Sequence, residues 1–157
     1  MTRRNPAAFA ILVGGGIAGA LDITYAIVFS YLRSGVAPAR ILKSVAGGLL
    51  GTAAFAGGAS VAALGLCIHF FNALTIAAIY YVASRRLPFL TRQAVPWGIA
   101  YGFGVYWVMN LIVLPLSALH RRGSMVPIVM ITGLIVHMFL IGLPIALATR
   151  KAAAIST

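Results

Sequence analysis

Four long apolar runs, each followed or flanked by lysine or arginine, leave this chain few folds to choose from. They cover residues 7–32, 59–84, 95–118 and 126–149. At 1.5 Å per residue each makes roughly 36–39 Å of helix, enough to cross a hydrocarbon core of about 30 Å. A backbone in lipid has to satisfy its own polar groups, so runs of this length read as helices. The expected fold is an all-α membrane protein of one membrane domain, residues 1–157, with four transmembrane helices and a short interfacial amphipathic helix over 38–50.

The charge pattern agrees with that reading. Only 8% of residues are charged, and the formal net charge is +11. In a soluble protein such basicity would suggest nucleic acid. Here every Lys and Arg stands near a span end or in a connection, so the expected partner is a lipid bilayer with anionic headgroups and not nucleic acid. The single cysteine, Cys67, excludes an intrachain disulfide and any Cys-based metal motif, and reads as packing. Arg3 and Arg4 precede an apolar run that continues through Tyr31, which fits a retained anchor better than a cleaved signal peptide. Arg3, Arg4, Arg85, Arg86, Arg92, Arg150 and Lys151 fall on one side, against Arg33, Arg40, Lys43, Arg121 and Arg122 on the other. The bias puts both termini of a multi-pass membrane protein in the cytoplasm.

Between the first two spans, Pro38 opens a stretch in which Ile41, Leu42, Val45 and Leu49 gather opposite Arg40, Lys43 and Ser44. That is the pattern of a helix lying at the membrane surface. The alternative is a fifth, weakly apolar span over 36–58. Gly57 and Gly58 then turn the chain back into the bilayer. Gly15 with Gly19, and Gly98 with Gly102, are small-xxx-small pairs that permit close helix packing. Pro115 denies the Leu111 carbonyl its helical partner, so a bend is expected there. Tyr80 and Tyr81, followed by Arg85 and Arg86, mark an interface, and Arg150 with Lys151 stops the fourth span.

Few polar groups lie inside the spans, and they form the candidate site: Asp22, His69, Asn72, Asn110 and His137. Asp22, His69, Asn110 and His137 stand about 20 to 27 Å from the basic residues of one face, measured along the helices, so they share a layer. Gly15, Gly19, Asp22 and Tyr25 share one face of the first helix. A central unpaired Asp costs roughly 2.5 to 3.5 kcal/mol on insertion scales, so Asp22 is expected to be neutral, hydrated or paired. Protonated His69 or His137 is the only countercharge inside the spans. Asn72 and Asn110 read as packing hydrogen bonds, and His120 as a solvated residue of a turn.

No Ser-His-Asp order, phosphate loop or pair of carboxylates can be assembled, so no enzyme is expected. Asp22, His69 and His137 lack the short spacing of a specific metal site, and no cofactor is implied. The leading function is a transport-related or proton-responsive membrane protein working through the Asp/His/Asn cluster. A second is a structural or accessory subunit, binding another copy of itself or another membrane protein. A third is haem binding between two histidines on separate helices.

From His69 onward the order of features is also informative: His69, an apolar run to Tyr80 and Tyr81, Pro88, Gly98 and Gly102, Met109-Asn110, Pro115-Leu116, and His137 before Arg150. This order resembles the YagU-like family of small bacterial inner-membrane proteins, over about the last 90 residues. The resemblance implies an inner-membrane location and a multi-helix bundle more than an activity. The family has His where this chain has Asn110, and a longer, differently composed first loop.

Overall fold

The computed structural model describes residues 5–121 and 123–155. Arg3, Arg4 and Arg122, which enter the charge count above, lie outside the described residues. The described chain is helical and without strands, and four of its helices are long and apolar enough to cross a membrane. They are α1 (Pro6–Ser34), α3 (Ala59–Arg86), α4 (Ala94–Leu116) and α5 (Pro127–Ile155), and α2 (Pro38–Leu50) lies between the first two.

Local chemistry sets the ends. Asn5 caps α1, its side-chain oxygen accepting from the amides of Ala7 (3.0 Å) and Ala8 (3.4 Å) ahead of Pro6 in the first turn. Gly35, at φ +64°, closes α1 in the left-handed conformation and donates to the Tyr31 carbonyl at 2.8 Å. α2 has 13 residues, about 20 Å, too short to cross the bilayer. It stops at Gly51, at φ +65°, and a 3-10 turn over Gly51–Ala56 leads to α3. The continuous fifth span over 36–58 therefore does not form.

Two ends differ from the sequence expectation. α5 runs on to Ile155, past Arg150 and Lys151. Arginine and lysine are good helix formers whose side chains can reach back to the interface, so a basic pair ends the apolar run without ending the helix. Tyr80 is not an interfacial aromatic: it is 1% exposed, and its hydroxyl donates to the Leu90 carbonyl at 3.0 Å.

Three segments widen into π-helix: Phe9–Gly14, Met109–Val113 and His137–Gly142. The latter two stand just before Pro115 and Pro144. A proline ring collides with the carbonyl four residues back and offers it no amide, and a widened turn relieves both problems. α4 thus answers Pro115 by widening, and the helix continues to Leu116.

The bundle is assembled from small residues. Ala10, Ala18, Ala46, Ala77, Ala146 and Ala152 are fully buried, while Leu12, Leu32, Phe71, Val82, Leu111 and Leu116 are all more than half exposed. Helix axes held together by alanine and glycine, with large apolar side chains outward, suit a lipid solvent. In water the same surface would be an aggregation liability. Cys67 belongs to that outer surface and not to the packing. α1 and α5 run antiparallel: Gly14 faces Ile145 and Ala148, and Lys151 Nζ stands 5.8 Å from the Phe9 ring centroid. At the other end of the bundle, the Ala118 amide donates to the Gly48 carbonyl at 2.8 Å and Leu119 covers Gly47, so the α4–α5 connection lies on α2.

Candidate functional site

The site starts from two glycines of α1. A Cβ placed on Gly15 would meet Leu74 at 3.0 Å, and one on Gly19 would meet Ala73 and the Phe70 ring at 3.0 Å. Both backbones therefore lie directly on α3, and the Gly19 carbonyl is left unshielded by a side chain. His69 uses it: Nε2–H donates to that carbonyl at 2.8 Å, linking α3 to α1. A carbonyl only accepts, so this bond assigns the proton to Nε2. In the neutral ring Nδ1 is then a bare acceptor.

Asp22 follows Gly19 by three residues, on the face that carries the buried Gly15, Ala18 and Gly19. It is half-buried, and among the described residues it has neither an ion pair nor a hydrogen bond. It is also the only acid in the chain. Gly15 and Gly19 of that face are buried against α3, and Asp22 only partly so. Tyr25, the next member of that face, is half-buried and stacks on Phe29 with centroids 5.2 Å apart.

A second set of polar groups is built between α4 and α5. Gly98 and Gly102 bring these helices into backbone contact: a Cβ on Gly98 would lie 2.7 Å from that of Ala146, one on Gly102 would overlap the His137 carbonyl, and one on Gly142 would overlap the Gly98 carbonyl. His137 opens the widened turn before Pro144, and its Nδ1–H donates to the Gly133 carbonyl at 2.8 Å. Its ring meets the Tyr106 ring edge-on at 5.3 Å. One turn further along α4, Asn110 Nδ2 donates to the Tyr106 carbonyl at 2.8 Å, and its Oδ1 faces Gly123 of the connecting loop.

The sequence-derived cluster thus divides in two. His69 is tied to α1 at Gly19, one turn before Asp22, whereas His137 and Asn110 flank Tyr106 and bond to carbonyls of their own helices. The halves approach each other because α1 packs on both α3 and the widened turn His137–Gly142. No hydrogen bond joins them among the described residues. Asn72 is half-buried and likewise makes none there. His120 is exposed, at φ +47°, with Nδ1 3.3 Å from the Pro115 carbonyl. Among the described residues no three His, Cys, Asp or Glu side chains gather as a metal site.

Sequence reasoning missed a tyrosine pair below this layer. Tyr101 donates its hydroxyl to the Ile76 carbonyl at 2.7 Å, and its ring meets that of Tyr80 at 4.9 Å. Tyr101 lies one turn beyond Trp97 and beside Gly102, so it falls on the packing face already marked by the glycines, and that register was the available signal. Thr149 is 1% exposed and its Oγ1 has no partner among the described residues. Comparison with protein-family models, curated proteins and solved structures finds no match to this chain.

Proposed function

We propose that this chain is a small multi-pass protein of a bacterial inner membrane, both termini in the cytoplasm, that responds to protons through the Asp22/His69 layer and couples the response to transport. The observation that carries the reading is the His69 Nε2–H bond to the Gly19 carbonyl, one helical turn before the lone acid Asp22. Because Nε2 is already committed, an added proton goes to Nδ1 and leaves the helix contact intact. The imidazolium so formed has one anionic side chain in the whole chain to answer it. A protonatable pair held on two touching helices is the kind of element that can bias a bundle between two packings.

The test is reconstitution in liposomes loaded with a pH-sensitive dye. A proton leak or proton-coupled solute flux that rises on acidification, and that Asp22→Asn abolishes while the protein stays folded, supports the reading. An Asp22→Asn variant with unchanged flux, or a parent protein with none, overturns it. The polar layer of a single 157-residue bundle leaves little width for a pathway, so a homo-oligomer is the expected transporting unit.

The second reading is a structural or accessory subunit. It is favoured by His137 and Asn110, whose bonds to their own helices are what packing residues make. A stable heteromeric assembly in mild detergent supports it. A bis-histidine haem site is disfavoured, because the His69 nitrogen that would bind iron is spent on Gly19 and the His137 ring packs on Tyr106. The YagU-like resemblance remains part of the proposal for location and bundle only.

A further inference from the structure

On the flank of the bundle, the half of α1 beyond Asp22 borders an open apolar groove of about 500 Å3, lined among others by Leu21, Tyr25, Val28, Phe29, Leu32 and, across from them, Leu140. Its origin is in the packing. α1 touches α5 at the widened turn His137–Gly142, whereas the preceding segment Pro127–Val136 leans on α4. Leu21, Tyr25, Val28 and Leu32 follow one another at helical spacing, so the groove runs along the helix axis.

Its length and the charge at its end select the occupant. From Leu21 to Leu32 is a rise of about 16 Å, half of a hydrocarbon core of about 30 Å. An open apolar strip of that length matches an acyl chain lying along the helix, one leaflet deep. The outer end of the groove, at Leu32, adjoins Arg33. Arg40 and Lys43 of α2 and Arg121 of the loop lie at the same end of the bundle, with no acid among them. We propose that the groove seats one acyl chain of an anionic phospholipid from this leaflet, with its phosphate held by these basic residues. The site is independent of proton chemistry at Asp22.

The experiment is native mass spectrometry of the full chain released from nanodiscs holding equal amounts of phosphatidylglycerol and phosphatidylcholine. The expected result is one retained phosphatidylglycerol per chain. Val28→Trp fills the groove and loses the lipid. Phe71→Trp, which adds an indole on the exposed face of α3, keeps it. The combined Arg33→Ala and Arg40→Ala variant retains lipid without preferring the anionic one. Thermal unfolding of each variant within a few degrees of the parent shows that the bundle is intact. No retained lipid in the parent, or equal retention by Val28→Trp, overturns the proposal. So does efficient homodimer formation by Leu21→Cys in a Cys67→Ser background at low protein density in the bilayer, because a second copy would then be the occupant.

Discussion

His69 on α3 donates from Nε2 to the backbone carbonyl of Gly19 on α1 over 2.8 Å, fifty residues apart in sequence. The bond exists because Gly19 has no side chain to fend off α3, and it fixes both the helix pair and the tautomer of the ring.

Replacing His69 tests the energetic side of that contact. His69→Phe keeps a ring of similar breadth but removes the donor. Interhelical hydrogen bonds in membranes contribute about 0.6 kcal/mol on average and up to about 1.7, so a loss of that size is expected in a reversible denaturant titration. His69→Gln, which can still donate to the Gly19 carbonyl, recovers part of it.

The glycine contacts between α4 and α5 predict a sharper contrast. Gly102→Ala and Gly142→Ala each push a methyl into backbone of the facing helix, which a side-chain rotation cannot relieve. Each is expected to cost about 1–3 kcal/mol or prevent folding. Gly16→Ala and Gly104→Ala, with nothing within 4 Å of the added methyl, should stay within about 0.5 kcal/mol of the parent. Unfolding of all four variants in one detergent makes the comparison.

Tyr101→Phe removes a hydroxyl that reaches the Ile76 carbonyl at 2.7 Å while keeping the ring against Tyr80. The expected loss is about 0.5–1.5 kcal/mol, the net value of one hydrogen bond. Tyr81→Phe, half-buried next to the same turn and with a hydroxyl that makes no hydrogen bond among the described residues, is the comparison and should change less.

What was readable in the chain follows from what has a one-dimensional signature. The four spans are long apolar runs, and Gly15, Gly19, Gly98 and Gly102 sit at the spacing that lets helices touch, so bundle and packing faces were legible. Pro115 announced a local fault in α4, though only the structure shows that the helix absorbs it as a widened turn. Tyr80 was misjudged because an aromatic near a basic pair looks the same whether it faces headgroups or folds inward onto Leu90; the short turn Phe89–Arg92 decides it. Gly142 was passed over because its partner, Gly98, lies on another helix. The common layer of polar residues was suggested by their offsets, but offsets carry no information about rotation. They could not tell that His137 and Asn110 turn to their own helices while His69 reaches across to α1.

The most direct test of the account is nitrogen-15 NMR of histidine-labelled protein in lipid vesicles, with the His69 signals assigned by their loss in His69→Gln. In the neutral ring the account predicts a protonated Nε2 bonded to the Gly19 carbonyl and a bare Nδ1. A neutral ring with its proton on Nδ1 and a bare Nε2, or an Nε2–H that makes no bond to Gly19, would contradict it.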